Sequence, residues 1–157
     1  ISKEVESLSL YLKLQSLRYP DKFTYNIYLD PEIDIDFILI PPMLAQPMIE
    51  NALEHGLYYK EGKGHIEVRF MIDGNQLIFE VEDNGVGFTK SKKKKISEDH
   101  ISSGLDITRE RIKILGKRYK YYAFFEIKEI KDNYGTILGT KVRFNLPTRL
   151  SLLDDLA

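Results

Sequence analysis

Cysteine is absent from the sequence, which excludes disulfide staples and thiolate metal sites and fits a reducing compartment. Long apolar runs are missing too: none approaches the ~20 residues needed to cross a bilayer, and the N-terminus carries no signal-peptide pattern. Nor is there an excess of charge of one sign. Twenty-three Lys and Arg stand against 24 Asp and Glu, a formal net charge of -1. No global field therefore draws the chain to nucleic acid or to an anionic membrane, and any basic function must be local. No internal repeat is evident, and the only biased segment is Lys90 to Lys95, with five lysines in six residues. The chain starts at Ile1, directly inside a helical pattern and without a methionine, so the expectation is a piece of a longer protein.

What is present suffices for one domain: 157 residues, 43% of them hydrophobic and 11% aromatic, can fill a single core. Residues 2 to 18 read as a helix, with Val5, Leu8, Leu12 and Gln15 along one side. Leu10, Tyr11, Leu14 and Leu17 widen its apolar surface, as packing against further helices requires. Tyr19, Pro20 and Asp21 break the pattern. Phe23, Tyr25, Ile27 and Leu29 alternate as in a strand with one buried face. After a Pro- and Asp-rich connector, a helix is predicted over about 42 to 57. Ile66 to Ile72 and Leu77 to Val81 form a hairpin around the turn signal "DGN". A further helix is predicted from about Gly104 to Leu115, ended by Gly116, and two strands at roughly 121 to 130 and 139 to 146. Strands that alternate cleanly have one buried and one wetter face, so the fold expected is a two-layer α+β sandwich.

Three segments carry candidate chemistry. In "PMIENALEHG", Pro47 to Gly56, the apolar residues Met48, Ile49, Ala52 and Leu53 recur at helical spacing, yet Glu50 with Glu54 and Asn51 with His55 stack as two polar stripes. These stripes are either the solvated edge of an amphipathic helix or a ligand face, on which the Asn51 oxygen suits Mg²⁺, a metal content with few protein ligands beside phosphates and water. "DNGVGF", Asp83 to Phe88, ends a strand but is followed by polar, unpatterned residues rather than by a returning strand. A hairpin is thereby disfavoured; Gly85 and Gly87 allow close backbone approach, and Asp83 can accept a hydrogen bond from a donor such as an exocyclic amine. Gly104 opens a helix, where free amides favour phosphate. Arg109 and Arg111 follow, either to reach such a ligand or to pair with a carboxylate. The lysine run is read as a solvated face or as part of a lid that neutralises phosphates. Gly139 and Thr140 read as turn chemistry.

The ordered set "PPMLAQPMIENALEHG", "DNGVGF", "SSGLDITRERI" and "GTKVRFNLP" resembles the N, G1, G2 and closing motifs of the GHKL ATP-binding fold, in particular the catalytic domain of LytS-type sensor histidine kinases. The resemblance runs from about Leu8 to Pro147, and "EVESLSLYLKLQSLRYPDKF" is similar to the family's stretch between dimerisation helices and catalytic domain. It implies the GHKL (Bergerat) type of α/β sandwich, with a mixed, mostly antiparallel sheet covered on one face by helices. Residues 1–18 would end a dimerisation or linker helix, 19–148 would form the catalytic domain, and 149–157 a tail. ATP and Mg²⁺ are the implied cofactors. Asn51 would hold the metal, Asp83 would receive the adenine amino group, and Gly85 and Gly87 would shape the pocket. Gly104 would sit by the phosphates, His55 and Leu105 would also line the nucleotide, and 89 to 103 would be a lid. No residue of the domain is assigned as catalytic.

The intact kinase so implied transfers the γ-phosphoryl group to a histidine on upstream dimerisation helices, then to a response regulator. It would be a homodimer with a cytoplasmic catalytic domain and a membrane anchor, and would bind no nucleic acid. The phosphoacceptor segment does not appear, and His55, His65 and His100 lie in no acceptor-like context, so the chain is expected to bind Mg-ATP without phosphorylating itself. Ser102 stands where the family often has glycine, and Glu54 where it is frequently basic. Two other readings remain: a degenerate nucleotide-binding or docking module, and a GHKL ATPase or anti-sigma-type serine kinase. The latter usually carry a glutamate four residues before the Asn, a position occupied here by Pro47.

Overall fold

The computed structural model describes residues 1–88 and 103–148. Helix α1 (Ser2–Arg18) leads into β1 (Phe23–Leu29), and a connector then reaches the short helix α2 (Gln46–Asn51), which continues as a π-helical turn (Ala52–Leu57). The hairpin β2 (Gly64–Asp73) and β3 (Gln76–Asp83) follows, then α3 (Ser103–Arg118), β4 (Phe125–Lys131) and β5 (Ile137–Pro147). The five strands form one sheet in the order β1-β2-β3-β5-β4. Only β1 and β2 run parallel; the other neighbours are antiparallel. Among the described residues no helix is long and apolar enough to cross a membrane.

The period of two in the strands explains the layering. Leu77, Phe79 and Val81 of β3 pair in register with Ile72, Phe70 and Val68 of β2 and with Leu146, Phe144 and Val142 of β5, so that one face is apolar across three strands. Phe70 and Phe79 meet edge to face with ring centroids 4.8 Å apart, and Phe79 and Phe144 are 5.3 Å apart. Against this face pack Leu8 and Leu12 of α1, Met48 and Ile49 of α2, and Leu105 and Ile112 of α3, all in the same buried cluster. The opposite face is a ladder of alternating charge: Arg69 meets Glu80 at 2.7 Å, Lys141 meets Glu82 at 3.0 Å, and Arg143 meets Glu126 at 2.9 Å. The sequence reading of one covered and one wetter face holds. On α1, however, Leu10, Leu14 and Leu17 are exposed and add nothing to this core.

Three element boundaries differ from the sequence reading, among them the start of β4 at Phe125 rather than at about residue 121. The helix expected from about residue 42 begins at Gln46, because Met43 adopts φ 56° and the N–H groups of Met43, Leu44 and Ala45 are taken by the Glu4 carboxylate of α1. Gly116 does not end α3. It lies inside the helix, where a Cβ would stand 2.5 Å from that of Ala123, and the chain reverses beyond Arg118 through Lys120 at φ 53°. The cause of the late start at Gln46, the Glu4 carboxylate, lies far along the chain and leaves no local signal.

Thr108 of α3 is fully buried, and its hydroxyl has no hydrogen-bond partner among the described residues. Such a group costs about 1 to 3 kcal/mol relative to an apolar isostere. Thr108→Val is expected to raise the unfolding free energy by about 1 kcal/mol, read from denaturant melts; an unchanged or lower midpoint would show that the hydroxyl is satisfied.

Candidate functional site

Asp83 closes β3 on the same side as Val81 and Phe79, so it points under the helices rather than to the charged face. Only 4% of it is exposed. Its Oδ1 accepts the Gly85 N–H at 2.8 Å, and the Thr140 backbone N–H also donates to the carboxylate. Burial pushes its pKa up to about 7, against the opposing pull of those two amides. A largely desolvated acceptor with a pKa near neutrality is characteristic of a functional position.

The backbone after Asp83 does not turn into a hairpin, despite "NG". The Asn84 N–H donates to the His65 carbonyl at 3.2 Å, and the Asn84 side chain accepts the His65 N–H at 2.8 Å, which ties the residue to the start of β2. The chain then passes the end of the π-helical turn, where the Val86 N–H donates to the Gly56 carbonyl at 3.1 Å. Gly56 and Gly85 meet backbone to backbone. A Cβ on Gly85 would overlap the Gly56 carbonyl, and a Cβ on Gly56 would lie 2.6 Å from the Asp83 Oδ1. Gly139 completes this close packing, since a Cβ there would overlap the Asp83 carbonyl.

The structure thus corrects the reading of Gly139 and Thr140 as turn residues. Both lie inside β5, with Thr140 opposite Asp83, and they form the wall that holds the carboxylate. Gly56 was not singled out by sequence reasoning either. The dipeptide Gly-Thr looks the same before a strand and within one, so only strand register identifies its role.

The polar stripes of the helix over 46 to 57 separate. Glu50, which accepts from the Gln46 amide at 2.8 Å, and Glu54 face Tyr11 of α1, whose phenol pKa is raised by burial and by these two carboxylates. Asn51 and His55, one position further round, are half-buried on the helix that carries Gly56 to Asp83. The Tyr58 N–H donates to the Leu53 carbonyl at 2.9 Å across the wider π-type turn, a distortion that recurs at functional sites.

Gly104 begins α3 beside the same helix: a Cβ on it would lie 3.2 Å from the Cβ of Pro47. The Leu105 side chain belongs to the buried core. Gly87, at φ 79°, rests against Ile137 and Glu129 near the ends of β4 and β5, whereas Gly85 rests against Gly56. Arg109 pairs with Asp106 at 2.7 Å, and Arg111 donates to the carbonyls of Pro42 and Met43. The lysine run, His100, Ser102, most of the expected lid and the tail 149–157 lie outside the described residues. A separate cavity of about 470 Å³ lies between α1, the start of β1 and the π-helical turn, lined by Tyr11, Arg18, Lys22, Phe23, Glu54 and Tyr58. It does not include Asp83 or Asn51.

Among the described residues no group of three His, Asp or Glu side chains is arranged to hold a metal ion. A metal bound through Asn51 would therefore need to bring most of its ligands with it, as Mg²⁺ on a nucleotide does, and a single neutral amide oxygen fits that requirement. A buried carboxylate acceptor likewise suits a heterocycle with an amine at its edge.

The family model described as histidine kinase-, DNA gyrase B-, and HSP90-like ATPase matches residues 42–150. The chain is 26% identical to the sensor protein LytS of Bacillus anthracis over 157 residues, covering 96% of this chain and 25% of that protein. It spans about a quarter of the length of the curated relatives first matched. Among solved structures, it is similar to the blue-light activated histidine kinase of Erythrobacter litoralis EL346, with TM-score 0.62, 21% identity, and 97% of this chain and 43% of that chain covered. The catalytic domain of the histidine kinase ThkA in a nucleotide-free form matches with TM-score 0.60 and 13% identity over 94% of this chain and 93% of that one. These two likenesses concern the fold.

Proposed function

The chain belongs to the histidine kinase-, DNA gyrase B-, and HSP90-like ATPase family, and from that premise we propose that it is the ATP-binding catalytic domain of a two-component sensor histidine kinase. The observation that carries this reading is the buried Asp83 carboxylate, set at a strand end against the Gly56 and Gly85 backbones.

Each residue then has a task. The ionised Asp83 accepts a hydrogen bond from the adenine amino group, and the close packing of the Gly56 and Gly85 backbones fixes the carboxylate for it. Gly87 shapes the neighbouring wall. Asn51 offers its amide oxygen to Mg²⁺, with His55 one turn further along the same face. Gly104 and Leu105 present backbone N–H groups at the start of the 16-residue α3 to the phosphates. Bound Mg-ATP supplies a γ-phosphoryl group whose charge the metal partly neutralises. The domain itself needs no general base, because the neutral imidazole that receives the group already has a free lone pair. That histidine belongs to dimerisation helices outside this chain, and a response regulator takes the group onward. The whole protein is proposed to be a membrane-anchored homodimer with this domain in the cytoplasm.

The position where hydrolytic relatives place a glutamate is Pro47, which packs on Gly104 and carries no proton acceptor. This favours donation to a partner histidine over rapid hydrolysis. Calorimetric titration of the chain with Mg-ADP is expected to give saturable 1:1 binding, and incubation with ATP is expected to leave no phosphohistidine on it. Absence of saturable binding would support a docking module instead, while fast ATP turnover abolished by Glu50→Gln would favour the hydrolytic class.

A further inference from the structure

The segment that precedes α2 is held from two sides by charged side chains that the nucleotide site does not use. On one side stands Glu4 of α1, 6% exposed although charged. Its Oε2 accepts the Met43 N–H at 3.0 Å, and its Oε1 accepts the N–H groups of Leu44 at 3.1 Å and Ala45 at 3.0 Å. On the other side stands Arg111 of α3, which donates to the Met43 carbonyl at 3.2 Å and to the Pro42 carbonyl at 2.9 Å. Between them Met43 has φ 56°, a region that residues with side chains adopt only when their surroundings impose it. Hydrogen bonds to a charged acceptor are the stronger kind, and a carboxylate with three amide donors fixes both the position and the orientation of the turn.

The turn is placed where a displacement would matter. Asn51 ends the six-residue helix that starts directly after it, and Gly104, at the start of the helix bearing Arg111, packs on Pro47 at the head of that same helix. The residues assigned to metal and phosphates therefore share this one anchor. Asp83 does not: it is held by β5 and by Gly85.

We propose that Glu4 is a positioning residue, through which α1 sets the phosphate and metal end of the nucleotide site while leaving the adenine end untouched. Arg111 acts as its counterpart on α3. The proposal rests on the nucleotide-site reading given above. It makes the seating of α1 on the 42–45 turn a determinant of how tightly the triphosphate end is held.

The test compares Mg-ADP with adenosine, which offers only the adenine end, as equilibrium ligands of the 157-residue chain. Measurements are made at a temperature where melts show each protein fully folded. Glu4→Gln preserves size but replaces the anionic acceptor, and it is expected to weaken Mg-ADP about tenfold and adenosine less than about twofold. Arg111→Ala is expected to shift the same ratio in the same direction by about threefold. A variant that merely loosens the fold would move both ligands alike or neither. Equal weakening of the two ligands by Glu4→Gln, or no weakening of either, overturns the proposal; should that variant fail to fold, the same criterion applies to Arg111→Ala. A wild-type chain that binds neither ligand overturns the nucleotide reading and this inference together, whereas wild-type binding of both without a split in the variants overturns the inference alone.

Discussion

Asp83→Asn is expected to weaken adenine-nucleotide binding about a hundredfold, while the fold survives. The amide is nearly isosteric, but it offers one acceptor oxygen in place of two and turns a donor toward groups that themselves donate. The wild-type carboxylate already receives the Gly85 and Thr140 amides, so its remaining lone pairs are what an exocyclic amine can use. Because burial pushes the Asp83 pKa up to about 7, the ionised acceptor itself titrates near neutrality. Binding that requires it is strongest above pH 7 and falls as pH drops, by at most tenfold per unit well below the pKa.

Stability runs the other way. A carboxyl whose folded pKa is raised above the unfolded value of 3.8 holds its proton in the native state over a window, from about 4 to about 7, in which the unfolded chain has lost it. The native state then binds more protons than the unfolded one, so this residue's contribution to stability declines as pH rises through the window. Above it the burial of an ionised group is felt in full. The wild type should therefore gain stability relative to Asp83→Asn on going from pH 8 to pH 5. Denaturant melts of both proteins at the two pH values, together with nucleotide titrations, provide the measurement. If the difference between the proteins does not change with pH, Asp83 does not have the raised pKa on which the expectation depends.

Gly85→Ala should do more damage. Its Cβ would overlap the carbonyl carbon and oxygen of Gly56, both of them backbone atoms that cannot rotate away. Relief requires the π-helical turn to move off the end of β3, which also displaces the carboxylate that Gly56 covers. We expect a loss of about 1 to 3 kcal/mol in stability, typical of overpacking, and nucleotide binding below detection in a protein that still melts cooperatively. A variant with wild-type affinity would show that this close packing does not set the position of the carboxylate.

How much of this was legible in the sequence depends on the range of the interactions involved. Periodicity sufficed for α1, β1 and the β2–β3 hairpin, whose residues alternate or recur according to which side meets the core. The ordered motifs sufficed for the family, and the mixed sheet covered on one face by helices is the architecture they imply. What was missed depends on distant partners. The start of α2 is decided by a carboxylate on α1, and the function of Gly139 and Thr140 by their register against Asp83. Asp83 stood out because a strand end followed by glycines but no second strand is locally anomalous. Gly56 lacks any such signal, since its requirement arises only when a second glycine arrives from another element.

The charged ladder on the back of the sheet has a consequence for how the molecule can be approached. A visitor settling there would have to pull apart cations and anions that already satisfy one another, such as Arg69 with Glu80 and Lys141 with Glu82. The domain is in effect one-sided. Whatever speaks to its chemistry must come across the helical layer or along the rim, where α1 and the turn it grips are the nearest handles.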